Sequence, residues 1–277
     1  MIKFQFEMEA HMTRDRLKIF KKMIEIIKDL TNTGIVFLCK KTGVEINWFG
    51  SIGMASFHLS RNFFKLYRIF KKQEVIILHI HVEEFYKILK NSVKIVNWEN
   101  IQIELEKPSS DTVLFKLVEA KVIFRMKLMD IEGQSIINGE DPFSEEYFDY
   151  RAQLSANYLT TVCDIIKEYD TPVRIIAHRN KMIFESINEC NFSNVSMKKK
   201  IKNCSDDDFL EYPVTKQNFS CEYLKKFSQM SCLSRDVFIC FSSKYDFSTS
   251  PILLIYTCPD EKNFSVKFLL GSIFENT

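Results

Sequence analysis

The sequence predicts an α+β protein built twice, with two helices on one face of antiparallel sheets in each half. Three observations carry that expectation. Short apolar runs with the two-residue alternation of half-buried strands dominate the chain, while four segments carry the 3.6-residue stripe of amphipathic helices. The order strand, helix, several strands, helix, three strands occurs in the first half and recurs in the second. Between the halves, the alternating strand Val122 to Met129 gives way to an acidic stretch in which Gly133, Gly139 and Pro142 forbid regular structure. The expected division is a first domain over 1–130, a connector over 131–147 and a second domain over 148–277. With 277 residues, each half is long enough to bury its own core.

In order, Ile2 to Met8 reads as a first strand. Thr13, or a residue just before it, can cap a helix to Leu30 in which Leu17, Phe20, Ile24 and Ile27 make one apolar stripe. Arg14, Lys18, Lys21, Lys22 and Lys28 fall largely on the opposite side, giving this helix a basic outer face. Strands are expected over Ile35 to Lys40, Val44 to Phe49 and Met54 to Leu59, separated by Lys-Thr-Gly and Gly-Ser-Ile-Gly turns. Phe63 to Phe70 and Val75 to His81 continue the pattern. A second helix, Val82 to Ser92, turns Phe85 and Leu89 inward, with Lys87, Lys90 and Lys94 outward. Ile101 to Leu105, Thr112 to Val118 and Val122 to Met129 complete the half as a meander.

The second half opens on the strand Phe148 to Leu154. Ser155 then caps a helix to Tyr169 with Leu159, Val162 and Ile166 buried. The outer face of this helix offers Asn157, Thr160, Thr161 and Asp164, with Lys167 its one cation. Strands follow over Val173 to Ala177, Met182 to Ser186 and Phe192 to Met197. Lys198 to Lys202 and Asp206 to Asp208 read as a solvated loop, with a nuclear-import signal or a DNA contact as the alternatives for the lysines. After Val214 to Phe219, Ser220 opens a short helix with Leu224 and Phe227 inward and Lys225 and Lys226 outward. Val237 to Ser242, Ile252 to Cys258 and Phe264 to Leu270 close the chain.

Composition narrows the function classes. Hydrophobic residues make up 46% and charged residues 27%, as in soluble globular proteins, and the net charge is +2. No run of about 18 apolar residues and no secretory signal is present, so an intracellular protein without a membrane partner is expected. Eight cysteines occur without a Cys-x-x-Cys pair, which reads as reduced, mostly buried thiols. Seven glycines form neither a phosphate-binding loop nor a nucleophile elbow. His79 and His81 could share a strand face with Glu83 nearby, yet no third His or Cys stands at ligand spacing, so structural histidines are expected. No catalytic residue, metal or cofactor is called for, and the basic helix faces point to binding.

The residues that remain carry a resemblance to the DNA sliding clamps, the group containing proliferating cell nuclear antigen (PCNA) and the heterotrimeric DNA-damage checkpoint clamp, the 9-1-1 complex. Arg125-Met-Lys-Leu-Met-Asp-Ile131 is similar to the last strand of the first PCNA domain entering its interdomain connector. Tyr223-Leu224, Phe227, Leu233-Ser234, Val237, Pro251 to Tyr256 and Lys267 through Glu275 resemble the final PCNA helix, strands and tail. Met1-Ile-Lys-Phe, the long basic first helix and Phe57-His-Leu-Ser-Arg-Asn-Phe-Phe64 look more like the Hus-type checkpoint subunit. Past Ile131 the connector lacks the PCNA pattern.

The resemblance implies a non-catalytic ring subunit that encircles double-stranded DNA in the nucleus, with helices lining the hole. A ring that slides needs diffuse attraction to phosphate rather than base contacts. The implied DNA-facing residues are Arg14, Lys18, Lys21, Lys22, Lys28, Lys87, Lys90, Lys94, Lys167, Lys225 and Lys226. The implied partners are other clamp subunits in a trimeric ring, a clamp loader, and DNA polymerases, nucleases, ligases or checkpoint proteins. These partners would dock by peptides at Leu128, Met129, Ile131, Pro251 and Phe268. The Hus-type checkpoint subunit is the expected branch, supported by the amino-terminal matches and mildly basic charge. A divergent homotrimeric PCNA, a DNA polymerase processivity factor, is the alternative; a clamp-fold adaptor that encircles nothing is a further one.

Overall fold

Thr13 both ends the first strand and starts the first helix. Its extended backbone closes β1 (Phe6–Thr13), and its hydroxyl accepts a hydrogen bond from the Arg16 amide at the head of α1 (Arg14–Leu30). The computed structural model describes residues 6–31, 34–69, 75–95, 100–106, 111–130, 141–169, 172–178, 181–187, 196–200, 215–242, 250–257 and 263–273. After α1 come β2 (Gly34–Lys40), β3 (Gly43–Phe49), β4 (Gly53–Ser60), β5 (Leu66–Ile69), β6 (Val75–His81) and α2 (Val82–Lys94). The meander β7 (Asn100–Glu106), β8 (Thr112–Leu117) and β9 (Val122–Lys127) follows. The second half consists of β10 (Tyr150–Ser155), α3 (Ala156–Lys167), β11 (Val173–Ala177), β12 (Lys181–Ser186), β13 (Ser196–Lys200), β14 (Thr215–Phe219), α4 (Cys221–Ser228), β15 (Asp236–Phe241), β16 (Ile252–Thr257) and β17 (Phe264–Leu270).

The chain forms two compact units. One comprises Met1–Phe49, Ala55–Ile136 and Glu261–Ser265; the other comprises Gly50–Met54, Ile137–Asp260 and Val266–Thr277. In the first, strands run in the orders β5-β1-β7-β8-β9 and β4-β3-β2-β6; in the second, β10-β15-β16-β17 and β13-β12-β11-β14. Matching β1, β2, β3, β4, β6, β7, β8 and β9 with β10, β11, β12, β13, β14, β15, β16 and β17 superimposes the two orders strand for strand. Only β5 has no counterpart among the described residues. The duplication expected from element order is therefore a duplication of topology.

Three expected elements differ. The first strand reaches Thr13 rather than ending at Met8, because Met8, Ala10 and Met12 all point into the core while β7 pairs with the strand along its length. The expected strand from Phe63 to Phe70 divides into a 3₁₀ turn over Arg61–Phe63 and the short β5, which pairs with β1. Lys198, Lys199 and Lys200 are not in a loop. They belong to β13, which pairs with β12 from Lys181↔Lys200 to Glu185↔Ser196. Residues 201–210, with the remaining lysine and the three aspartates of that stretch, lie outside the described residues.

Each unit buries an aromatic centre beneath its helices. In the first, Phe85 of α2 lies 5.7 Å from Phe20 of α1, 5.6 Å from Phe37 of β2 and 5.4 Å from Phe115 of β8. In the second, Phe227 of α4 stacks on Phe268 of β17 at 4.3 Å, and Tyr256 meets Phe268 edge-on at 5.9 Å. Phe143, within the expected connector, packs with Cys240, Leu253 and Ile255. Its carbonyl accepts a hydrogen bond from Lys267, so this end of the connector is part of the second unit.

One hairpin is sterically exacting. At Gly43, the first residue of β3 in the β2–β3 hairpin, φ is +151°, and a Cβ would stand 2.1 Å from the Leu59 carbonyl oxygen. Only glycine allows this approach.

Candidate nucleic-acid interface

Leu17, Phe20, Met23, Ile24, Ile26, Ile27 and Leu30 bury one side of α1, wider than the four-residue stripe expected because Met23 and Ile26 also turn inward. What remains on the outside is strongly polar. Six cations stand on α1 against three carboxylates. Val82, Phe85, Leu89 and Ser92 bury the inner side of α2, whose outer side has three lysines against two glutamates. The two helices pack beside one another.

Their seam is organised by Tyr86. Its hydroxyl donates to Glu25 at 2.9 Å, and the ammonium groups of Lys21 and Lys28 each lie 5.5 Å from the ring centre. Lys22 also binds Glu25, at 3.1 Å. Burial works to raise the Glu25 pKa, but hydrogen bonds from Lys22 and Tyr86 outweigh it and hold the carboxyl below its ordinary range. Burial, then the Glu25 hydrogen bond, raise the Tyr86 phenol. The seam is thus a charged network with an excess of ammonium groups.

The remaining expected DNA-facing residues divide by engagement. Lys18 pairs with Asp15 at 2.8 Å, Lys28 with Asp29 at 3.3 Å and Lys87 with Glu83 at 3.8 Å. A guanidinium nitrogen of Arg14 donates to the Val93 carbonyl at 3.3 Å, tying α1 to the end of α2. Lys90 and Lys94 are exposed and form no ion pair among the described residues. Arg16, a further α1 cation, serves the fold: it donates to the Asn62 carbonyl at 2.6 Å and lies over Phe63.

The second unit is nearly balanced. α3 buries Ala156, Leu159, Val162, Cys163 and Ile166, leaving Asp164 and Lys167 as its only charges. α4 has Lys225 and Lys226 against Glu222. Lys225 bonds to Asp164 of α3, and Lys226 pairs with Glu222 at 2.7 Å while lying over Tyr223. Lys226 holds the Glu222 carboxyl below its ordinary range, first by this hydrogen bond and then by its charge. Lys167 is exposed and forms no ion pair among the described residues. The basic surface is therefore concentrated on α1 and α2.

The expected peptide-docking residues do not share one environment. Leu128 and Met129 are half-buried just beyond β9, their amides bonded to the carbonyls of Asp111 and His79 at 2.6 and 2.8 Å. Pro251 is half-buried before β16. Phe268 is fully buried in the Phe227 stack and offers no surface to a ligand. Ile131 lies outside the described residues. His79 is a packing residue: Nδ1 meets the Asp130 carbonyl at 3.2 Å and its ring fills the space beside Gly34.

Comparison with known proteins then shows what the chain is similar to. Residues 8–135 match the proliferating cell nuclear antigen N-terminal domain. Proliferating cell nuclear antigen 1 of Plasmodium falciparum, in the K1/Thailand and 3D7 isolates alike, is 26% identical over 268 residues, covering 91% of this chain and 90% of the relative. The likeness to the DNA sliding clamps thus covers residues 8–135 by family and nine-tenths of the chain by relatives. A crystal structure of proliferating cellular nuclear antigen from Entamoeba histolytica shares the clamp fold with a TM-score of 0.72 at 18% identity, covering 98% of this chain and all of the other. In this chain, sequence periodicity located the outward lysines. It missed Tyr86, whose only signal was an aromatic ring on a polar helix side, and the Lys225–Asp164 pair, which joins residues far apart in sequence.

Proposed function

We propose that this chain is a non-catalytic sliding-clamp subunit that encircles duplex DNA in the nucleus and tethers replication, repair or checkpoint factors. The observation that carries the reading is the cation excess on the outer side of α1 and α2, in a fold shared with PCNA. Long lysine stems without base-reading geometry suit a contact that must move along phosphates. The test is retention on closed circular DNA after loading by a clamp loader. Retention lost on linearising the circle supports encirclement; association indifferent to topology overturns it and favours a clamp-fold adaptor.

Within this reading, the Hus-type subunit of the checkpoint clamp is supported by Phe57 to Phe64, the long basic first helix and the mildly basic charge. A replicative PCNA has its own support in the relatives that match across nine-tenths of their length. Solution mass separates them: a lone monomer fits the heterotrimeric checkpoint ring, and a stable homotrimer fits the replicative one. Clamp loader, polymerases, nucleases, ligases and checkpoint proteins are the partner classes to test.

A further inference from the structure

Three short segments of the first unit meet around one recess. The β2–β3 hairpin is set down on the end of β4, where Gly43 approaches the Leu59 carbonyl too closely for any Cβ. The Arg61 amide donates to the Thr42 carbonyl at 2.7 Å, and the Tyr67 hydroxyl donates to the Gly43 carbonyl at 3.0 Å. Hairpin, 3₁₀ turn and β5 are thereby fixed to one another through backbone atoms. Between them lies a recess of about 290 Å³, lined among the described residues by Lys41, Arg61, Tyr67, Arg68 and Ile69.

The charge of this recess is one-sided. Lys41, Arg61 and Arg68 are exposed, and none forms an ion pair or a side-chain hydrogen bond among the described residues. Neighbouring carboxylates are already engaged. Glu9, opposite Arg68 in the β1–β5 register, is held by His11 at 2.7 Å and by Gln102 at 3.4 Å, and Glu45 is held by Lys40 at 2.7 Å. Three like charges gathered on a fixed frame repel one another, and an anion between them removes that repulsion.

The geometry points to a binding site for a phosphate monoester, carried by a phosphorylated serine or threonine of a partner peptide. Such a group brings a charge of about −1.5 to −2 and three acceptor oxygens. Two guanidinium forks and an ammonium suit those oxygens, the forks by paired hydrogen bonds and the ammonium as a point charge. The recess falls just below the roughly 300–1,000 Å³ of sites that enclose whole small molecules, which favours a phosphorylated side chain over a nucleotide. Its one described ring is no platform for a base, since Tyr67 is 3% exposed and stacked on Phe64 at 4.9 Å. Half-buried Ile69 offers the ligand's aliphatic stem an apolar contact. None of these lining residues is on α1 or α2, so the site is separate from the basic helix faces and does not rest on DNA encirclement.

The test titrates the full chain into a short, otherwise neutral peptide carrying one phosphothreonine, followed by fluorescence anisotropy at about 0.1 M salt. The phosphopeptide is expected to bind about tenfold or more tightly than the same peptide without phosphate, and inorganic phosphate should displace it. Arg61→Gln/Arg68→Gln, with circular dichroism confirming the fold, should weaken phosphopeptide binding by about tenfold or more. Lys121→Gln/Lys216→Gln removes the same charge from exposed positions elsewhere and should weaken it by less than about twofold. Equal binding with and without phosphate, equal loss from the two double variants, or no displacement by inorganic phosphate overturns the inference. So does a single-stranded oligonucleotide lacking a terminal phosphate that matches the phosphopeptide in affinity and in dependence on Arg61 and Arg68, which assigns the recess to a nucleic-acid backbone. Should the arginine variant fail to fold, Lys41→Gln is read in its place, with an expected loss of about threefold and no loss overturning the site.

Discussion

Glu104 is 2% exposed, and Lys116 bonds to it from the neighbouring strand. His11, Glu9 and Gln102 extend this polar ladder, with His11 2.7 Å from Glu9 and Gln102 reaching both glutamates. Removing one partner of a buried pair leaves an uncompensated charge, so Lys116→Ala is expected to destabilise the chain by about 3–5 kcal/mol in urea unfolding. Replacing both members by leucine should recover much of that loss. Thiol chemistry follows burial as well. Burial pushes Cys39 up to about 12 and Cys240 to about 11, whereas Cys232 is exposed. Mass spectrometry after brief alkylation should therefore find Cys232 modified well before Cys39 or Cys240. His178 is held below its ordinary 6.5 by burial and then by Lys181. Its neutral form favours folding, so that contribution is complete above pH 6.5 and is lost as pH falls through the folded value. Lys181→Gln should move the His178 titration upward in NMR.

At the scale of elements, caps and partners explain what the sequence made visible. The side chains of Thr13 and Ser220 accept amide hydrogen bonds, whereas Ser155 occupies the equivalent place before α3 without one. Replacing Thr13 or Ser220 by alanine should each cost about 1 kcal/mol in thermal melts, and Ser155→Ala clearly less. Both long helices were legible because seventeen and thirteen residues repeat one apolar stripe. β13 was not, since Ser-Met-Lys-Lys-Lys has no alternation and becomes a strand only through β12. The continuation of β1 to Thr13 was hidden for a related reason: Ala10 and His11 are ordinary residues that β7 recruits from about ninety positions away. Ion pairs three or four residues apart, such as Asp15–Lys18 and Glu83–Lys87, follow from helix spacing. The burial of Phe268 does not, because a lone alternating strand does not say which sheet face meets the helix.

For the whole molecule, the two halves share a topology but not a charge. On α1 and α2, Lys21, Lys90 and Lys94 form no ion pair within 4 Å among the described residues, Lys21 acting on Glu25 only at longer range, so they are the cations of the first unit's helices most available to phosphate. Lys21→Glu/Lys90→Glu/Lys94→Glu is expected to weaken DNA association and reduce the salt slope by about 0.9 for each phosphate that is no longer neutralised. The same changes at Lys225 and Lys226 should do less, since both ammoniums are already committed to Asp164 and Glu222. Filter binding over a salt series distinguishes these outcomes; equal effects from the two sets would show that the charge asymmetry is irrelevant to binding.

The phenol of Tyr86 gives the first unit its own optical gauge. Because two ammonium groups lie over its ring and Glu25 holds its hydroxyl, any polyanion that draws those lysines away changes the electronic surroundings of one identifiable chromophore. The difference in tyrosine emission between the natural chain and Tyr86→Phe would then follow occupancy of the α1–α2 seam without an attached dye.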